Sequence, residues 1–247
     1  MYAYITLPLY DKQKESEVVP EIYVHLPKGV EQPTKAIVIC GGGGFNQVNL
    51  DHEGHQFAQW LNSIGVAGIV LNYRLPHGDK SITEKDLRQA VRIVREKAAE
   101  WNIDSSNIGA AGFSIGGHAV TLLAVREEKE SKLDFTMLFY SVVSMTEALT
   151  HKPCREKLLG KNPAQEDLDY YSSEKHVSST TPKCMIMACN DDAIVSPLNG
   201  VAYYTQLKEH NVSASLYIFP TGGHAWGMKE DFLYHNEMLS LVETWLK

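Results

Sequence analysis

The chain has 247 residues, of which 44% are hydrophobic and 21% charged, a composition typical of a folded globular protein. Lysine and arginine total 23 against 30 aspartate and glutamate, so the net charge is −7 and no basic stripe matches a nucleic-acid backbone. The longest apolar runs are strand-sized, well short of the roughly 18 residues that indicate a membrane span. We therefore expect neither a nucleic-acid nor a membrane partner, and homo-oligomer formation stays open.

Two features bear on the cellular compartment. Residues 1–4 lack the basic and apolar regions of a signal peptide, so the chain as given is expected in the cytoplasm. A periplasmic or secreted location stays open if a signal peptide was trimmed. The four cysteines, Cys40, Cys154, Cys184 and Cys189, show no CxxC spacing and are expected to be reduced and structural.

Strand-like and helix-like segments alternate along the chain, which predicts a mostly parallel sheet covered by helices. Strands are predicted at residues 21–26, 36–40, 66–71, 107–112, 135–140, 184–188 and 214–219. Helices are predicted at residues 52–64, from Thr83 as the N-cap to about Trp101, and at 114–125, 198–210 and 231–246. Residues 144–181 interrupt the alternation with a polar stretch, interpreted as a linker between domains or, more economically, as an excursion from one sheet.

The residues Gly112-Phe113-Ser114-Ile115-Gly116 form a G-x-S-x-G motif between a predicted strand and a predicted helix. A serine on such a sharp turn has its hydroxyl exposed, and flanking glycines leave room for the chain to cross. The next backbone N–H, that of Ile115, lies at a helix N-terminus, where developing negative charge is stabilised. The motif indicates a nucleophile; the alternative is a glycine-rich turn with an incidental serine.

A nucleophilic serine needs a base and an acid that orients the base. His224 follows the last predicted strand in a glycine-flanked loop and is the candidate base. His52 and His55 lack the H-E-x-x-H spacing of a metal pair, so exposed or capping roles are favoured, and His118 is expected to be a packed structural residue. No metal site is predicted.

The candidate acid is one of two adjacent aspartates at the same sheet edge. Both Asp191 and Asp192 follow the predicted strand at 184–188, and we favour Asp192 as the acid and Asp191 as a turn former. The resulting order of Ser114, Asp192 and His224 along the chain is the one associated with α/β-hydrolases.

A third glycine cluster, Gly41 to Gly44, ends the predicted strand at 36–40. Backbone N–H groups in such a loop can complete an oxyanion hole. The alternative, a dinucleotide-binding loop, is disfavoured because no G-x-G-x-x-G precedes a helix with an acid at the right distance.

These motifs resemble the α/β-hydrolase superfamily, and more narrowly its esterase branch of acetyl-xylan esterases and related carbohydrate esterases. The resemblance covers nearly the whole chain and rests on residues 41–45, 72–76, 112–118, 192–195 and 223–227. It implies an α/β-hydrolase fold, with a mostly parallel central sheet and helices on both faces. It also implies one domain over residues 1–247, in which 144–181 form a small cap insertion.

The resemblance also implies roles for individual residues. Ser114, Asp192 and His224 correspond to the family's nucleophile, acid and base, and Gly43, Gly44 and Ile115 to its oxyanion donors. Many relatives have His-Gly-Gly-Gly in this loop, whereas Gly41 stands here where that histidine would be, which leaves the register of the donating amides open by one residue. The implied mechanism is acyl transfer through an acyl-serine, without metal or organic cofactor.

Three further residues flank these loops and suit a shallow site for a sugar that carries a small acyl group. They are Phe45, Asn46 and Trp226, and for each of them a packing role is the alternative. The implied substrate is thus a small-molecule or oligosaccharide ester, and the expected function is a serine carboxylesterase that deacetylates a carbohydrate such as acetylated xylan oligosaccharides. The alternatives are a small serine peptidase of the prolyl-oligopeptidase type, whose usual propeller domain this chain has no room for, and a non-catalytic binding protein on a hydrolase scaffold.

Overall fold

Eight strands form one sheet in the order β1-β2-β4-β3-β5-β6-β7-β8 in the computed structural model, which describes residues 4–10, 19–126 and 128–247. The strands are β1 (Ile5–Pro8), β2 (Glu21–His25), β3 (Thr34–Cys40), β4 (Ala67–Asn72), β5 (Ile103–Phe113), β6 (Phe135–Phe139), β7 (Lys183–Cys189) and β8 (Ala214–Phe219). Strand β2 runs antiparallel to both β1 and β4, and all later neighbours pair in parallel. Residues 1–3, used above to judge a signal peptide, lie outside the described residues.

Helices connect the parallel strands. They are α1 (Gln56–Ser63), α2 (Ile82–Glu96), α3 (Ile115–Val125), α4 (Lys152–Leu159), α5 (Gln165–Tyr170), α6 (Leu198–Glu209) and α7 (His235–Leu246). A π-helical turn at Asp51–His55 precedes α1. The predicted alternation of strands and helices is confirmed, while β1 and the two short helices α4 and α5 were not predicted.

Helices cover both faces of the sheet. On one face, α2, α3 and α6 pack their apolar side chains into a core with alternate residues of the strands, such as Val38, Ile69 and Ala110. On the other face, α1 and α7 pack against the intervening residues, such as Ile37 and Met137. Successive side chains of a strand point to opposite faces, and helices cover both faces here. The central strands are therefore continuous apolar runs in the sequence.

The start of α2 differs from the prediction. Thr83 is the second residue of the helix rather than its N-cap, and its hydroxyl donates a hydrogen bond of 2.9 Å to the carbonyl of Arg74 in the preceding loop. The helix also ends at Glu96, before the predicted end near Trp101. The threonine therefore ties the helix to the loop that follows β4.

The polar stretch at residues 144–181 contains α4, α5 and a 3₁₀ turn at Ser173–His176. It leaves the sheet after β6 and returns at β7, and these two strands are direct neighbours. Leu158 and Leu159 of α4 pack in a third apolar cluster with Phe45 and Ile115. The segment therefore packs against residues that follow β3 and β5.

Two expectations about buried side chains are confirmed. All four cysteines are free and buried. His118 lies in α3 with 2% of its surface exposed, and its Nε2 is 2.8 Å from the carbonyl oxygen of Tyr171. Within the described ranges no helix has both the length and the apolar character needed to cross a membrane.

The burial of His118 predicts acid sensitivity. Burial lowers the pKa of His118 to about 4, below the value near 6.5 that it has in the unfolded chain. The stability that the neutral ring contributes is therefore complete above pH 6.5 and is lost as the pH falls from there towards 4. We expect this residue alone to remove about 2 kcal/mol from the free energy of unfolding between pH 6.5 and pH 5, at roughly 1.4 kcal/mol per pH unit. Urea unfolding at pH 7, 6 and 5 measures this loss of unfolding free energy.

The matched variants for this prediction are His118→Gln and, at an exposed histidine, His77→Gln. The first should flatten the dependence of unfolding free energy on pH and the second should leave it unchanged. Equal slopes for wild type and His118→Gln would contradict the prediction, because they would show that His118 has the same pKa in the folded and the unfolded chain.

Candidate active site

Ser114 occupies a strained turn between β5 and α3. Its φ of 50° and ψ of −122° lie outside the regions that residues with a side chain favour. The turn needs glycine at 116, where a Cβ atom would lie 2.2 Å from the carbonyl oxygen of Cys40. The serine is held there by hydrogen bonds from its own N–H to Phe139 O and from Val142 N–H to its carbonyl, both 3.0 Å.

The loop after β8 places His224 against this serine. Oγ of Ser114 is 2.9 Å from Nε2 of His224, and Nδ1 of the same ring is 2.7 Å from Oδ2 of Asp192. The side chain of Asp192 is fully buried and that of His224 is 13% exposed. The three predicted residues thus form one continuous hydrogen-bonded chain, although they come from three separate loops.

The two aspartates after β7 differ in what they bind. The second oxygen of Asp192 accepts hydrogen bonds from the N–H groups of Ile194 and Val195, each 2.9 Å, which fix the orientation of the carboxylate. Asp191 instead accepts from the backbone of Gly223 and Gly222, and these N–H groups lower the pKa of its carboxyl. Only Asp192 contacts the histidine ring, and Asp191 fastens the loop that carries it.

The glycine loop after β3 lies beside Ser114. The amides of Gly43 and Gly44 have no hydrogen-bond acceptor among the described residues, and that of Ile115 is the first of α3, where no intrahelical partner exists. The amide of Gly42, by contrast, donates 2.6 Å to a carboxylate oxygen of Glu53. Within the described residues, the N–H groups of Gly43, Gly44 and Ile115 are therefore free to bind a further acceptor.

The space around Gly41 explains why this position of the loop does not carry the histidine that the family resemblance would lead us to expect. A Cβ atom at this position would lie 2.2 Å from the carbonyl oxygen of Asn49, so no side chain fits. The hydroxyl of Tyr73 donates 2.6 Å to the Gly41 carbonyl and is buried. The side chains of Tyr73 and Glu53 thus hold this loop by hydrogen bonds, in place of the expected histidine.

The three residues expected around the substrate occupy different environments. Trp226 is 2% exposed and stacks on Phe232 with ring centroids 4.5 Å apart. Phe45 is 6% exposed and packs in the cluster beneath α4. Asn46 is exposed, and its side-chain oxygen accepts a hydrogen bond from Lys157 of α4. The packing alternative therefore describes Trp226 and Phe45, and only Asn46 presents its surface to solvent.

His52 and His55 are both half-buried, and His55 occupies the N-cap position of α1 without a side-chain cap hydrogen bond. The ring of His55 has its Nδ1 2.9 Å from Nε2 of His25, and Nε2 of His52 is 3.2 Å from the side-chain amide of Asn49. Across the part of the chain that the structure describes, no three histidine, cysteine, aspartate or glutamate side chains form a group suited to a metal ion. The position of His55 agrees with the capping alternative, whereas neither ring is fully exposed.

Sequence reasoning missed three residues around the site, namely Glu53, Tyr73 and Tyr140. Tyr73 lies in the 72–76 segment that carries the family resemblance, which was a usable signal. Glu53 and Tyr140 are joined by a 2.8 Å hydrogen bond although 87 positions separate them, so no local pattern indicates their contact.

The sheet topology, the strained serine turn and the position of the glycine loops define an α/β-hydrolase fold. The BD-FAE family model matches residues 22–207, and the chain belongs to that family.

Individual relatives agree with this assignment. The chain is 39% identical over 222 residues to an acetylxylan esterase of Xylanibacter ruminicola, covering 88% of this chain and 46% of that protein. It is 28% identical over 239 residues to endo-1,4-beta-xylanase B of Butyrivibrio fibrisolvens, covering 90% of this chain and 37% of the other. The chain thus spans less than half the length of these two curated relatives.

A solved structure extends the likeness to three dimensions. The crystal structure of an acetyl ester-xyloside bifunctional hydrolase from Caldicellulosiruptor lactoaceticus is 30% identical to this chain and superimposes with a TM-score of 0.90. The match covers 98% of this chain and 94% of the other. The predicted fold and the predicted resemblance to carbohydrate esterases are both confirmed.

Proposed function

We propose that this chain is a serine carboxylesterase that removes acetyl groups from a carbohydrate such as acetylated xylan oligosaccharides. The observation that carries the proposal is the hydrogen-bonded chain from Ser114 Oγ through His224 to Asp192. The names of two relatives, an acetylxylan esterase and an acetyl ester-xyloside hydrolase, support the choice of substrate.

In the proposed acylation step, Nε2 of His224 takes the proton of the Ser114 hydroxyl as Oγ attacks the ester carbonyl carbon. The carbonyl oxygen becomes an oxyanion, which the free N–H groups of Gly43, Gly44 and Ile115 are placed to bind. Asp192 holds the proton on Nδ1 of His224 and stabilises the imidazolium. When the tetrahedral intermediate collapses, the bond between the acyl carbon and the sugar oxygen breaks, and His224 gives its proton to that oxygen, which leaves as a hydroxyl.

Water completes the proposed reaction. It enters on the side from which the alcohol has left and loses a proton to His224 as its oxygen attacks the acyl carbon. The second oxyanion is held by the same N–H groups, and collapse releases acetate while His224 returns the proton to Ser114. The protein's own residues supply every proton transfer in this scheme.

The packing beside Ser114 supports a small acyl group. Phe45 and Ile115 are buried against Leu158 and Leu159 of α4 in one apolar cluster. A long acyl chain would have to displace these side chains, and overpacking a filled core costs about 1 to 3 kcal/mol. We accordingly propose one domain over residues 1–247, in which 144–181 act as a cap that limits the acyl side of the site.

A surface groove of 390 Å³ supports an oligosaccharide as the alcohol component. It is lined by residues 73–77, Asp79 and Ile82, and one of these lining residues, Tyr73, donates a hydrogen bond to the Gly41 carbonyl. Polar side chains in the groove, those of Arg74, His77 and Asp79, can hydrogen-bond sugar hydroxyls.

The proposal is tested by hydrolysis of p-nitrophenyl esters from acetyl to octanoyl, beside acetylated xylo-oligosaccharide. We expect kcat/KM to fall by about 100-fold from acetyl to octanoyl, because the packed cluster rejects added methylene groups. Acetate should be released from the oligosaccharide by the wild-type chain. A preference for octanoyl would contradict the small acyl group.

Absence of any ester turnover would contradict the carboxylesterase itself. A proline-containing peptide p-nitroanilide, measured in the same series, then separates the two alternatives: its cleavage indicates a peptidase, and its survival indicates a binding protein.

A further inference from the structure

A buried carboxylate lies on the π-helical turn before α1, next to the oxyanion loop. Glu53 is 2% exposed, and each of its oxygens accepts one hydrogen bond: Oε2 from Gly42 N–H at 2.6 Å and Oε1 from the Tyr140 hydroxyl at 2.8 Å. The nearest basic atom is Nε2 of His52, 3.9 Å from Oε1. Burying a carboxylate whose hydrogen-bond donors are mainly neutral costs stability, so we expect the contacts of Glu53 to serve a function.

Tyr140 connects this carboxylate to the opposite loop. Its hydroxyl donates to Glu53 and accepts a 3.0 Å hydrogen bond from Gly227 N–H, in the loop that carries His224. Its ring meets the His224 ring edge-on with centroids 4.8 Å apart. Burial, with Glu53 as the next cause, raises the pKa of Tyr140 well above its usual value, so the hydroxyl keeps the proton it donates.

Gly42 connects the same carboxylate to the nucleophile. A Cβ atom at Gly42 would lie 2.8 Å from Cβ of Ser114, so this peptide runs directly against the serine. Its carbonyl accepts a 3.0 Å hydrogen bond from Asn49 N–H, and its N–H is held by Glu53. Both backbone polar groups of Gly42 are therefore hydrogen-bonded, immediately before Gly43 and Gly44, whose N–H groups are free.

We propose that Glu53, through Gly42 on one side and Tyr140 on the other, is a positioning residue that fixes the oxyanion loop relative to the histidine loop. The inference rests on the proposed function, because it concerns the geometry of that reaction. Glu53 touches neither Ser114 nor His224 by hydrogen bond. It acts by holding the two loops at one separation, so that the oxyanion donors and the base face the same acyl carbon.

The test replaces Glu53 by glutamine, which keeps the shape but offers one acceptor atom to two donors. The Glu53→Gln NH₂ group must face either Gly42 N–H, which loses its acceptor, or the Tyr140 hydroxyl, which must give up its role as donor and accept instead. We expect kcat to fall by about 100-fold with KM near that of wild type, since small displacements of reacting groups carry costs of this size. Binding of a trifluoromethyl ketone, whose addition to serine forms an oxyanion, should weaken in parallel with kcat.

Tyr140→Phe is the companion variant, because it keeps the ring against His224 and removes only the hydroxyl. If Glu53 acts through this chain, the double variant should lose less activity than the product of the two single losses. The matched control is Glu84→Gln. Glu84 is also a buried carboxylate, bound by Arg88 and Arg126 away from the site, and this variant should keep the wild-type kcat.

Amide hydrogen exchange gives a readout that does not depend on turnover. Glu53→Gln should speed exchange in residues 41–47 and 222–228 together, whereas Glu84→Gln should leave both segments unchanged. Unchanged exchange in these loops overturns the inference whether or not the wild-type chain hydrolyses esters. An active wild type with wild-type kcat in Glu53→Gln overturns it as well, and a wild type that hydrolyses no ester contradicts the proposed function instead.

Discussion

Replacing Ser114 by alanine is expected to lower kcat/KM for p-nitrophenyl acetate by about 10⁴- to 10⁶-fold, the range seen when the nucleophile of a triad is removed. The variant lacks the oxygen that attacks the ester, and His224 loses its 2.9 Å partner. The backbone strain at φ 50° stays the same for alanine, because both residues carry a Cβ atom. The free energy of unfolding should therefore change by less than about 1.5 kcal/mol, the value of one hydrogen bond.

The matched control is Ser131→Ala, at a serine that is also buried and also takes part in one side-chain hydrogen bond, from Arg88, but outside the site. It should hydrolyse ester at the wild-type rate. A fluorophosphonate probe, with the labelled peptide identified by mass spectrometry, should modify wild type at Ser114 and leave Ser114→Ala unlabelled. Full activity in Ser114→Ala would remove the serine from the mechanism.

The reactive residues could be predicted from sequence because their signals are local. Ser114 stands between glycines at the junction of a strand and a helix, and the backbone there has the strained geometry that such a motif requires. Asp192 and His224 each follow a strand of the same parallel sheet. Since the carboxyl ends of parallel strands share one edge, strand order alone brought the three residues together.

The supporting residues could not be predicted, because their contacts are long-range. The Glu53 carboxylate lies 11 positions from Gly42 and 87 from Tyr140, and its residue type is ordinary on a helix. The exposed edge strand β1 also left no signal, since three of its four residues are solvent-exposed and no buried face sets a period. For Trp226, the local sequence suggested a role that its contacts do not show. A tryptophan beside a catalytic loop suits a sugar site, but the Trp226 ring stacks on Phe232.

The prediction that separates the two neighbouring aspartates is Asp192→Asn against Asp191→Asn. Oδ1 of Asp192 accepts hydrogen bonds from two backbone N–H groups, so an asparagine there keeps its oxygen on them and turns its NH₂ towards Nδ1 of His224. The ring must then accept at Nδ1 and carry its proton on Nε2, where it faces Ser114 as a donor. A base that already holds a proton cannot take another, so we expect kcat to fall by about 10⁴-fold while the fold persists.

Asp191→Asn is the matched control, since it changes the adjacent residue in the same way. Asp191 contacts only the backbone of Gly222 and Gly223, and asparagine keeps one acceptor for these N–H groups. The loss of one hydrogen bond is worth up to about 1.5 kcal/mol, so its effect on kcat should stay within about tenfold. Rates for both variants, measured at saturating p-nitrophenyl acetate from pH 6 to pH 9, check the ranking. A larger loss in Asp191→Asn would transfer the acid's role to that residue, because only the group that holds the Nδ1 proton of His224 can reverse its tautomer.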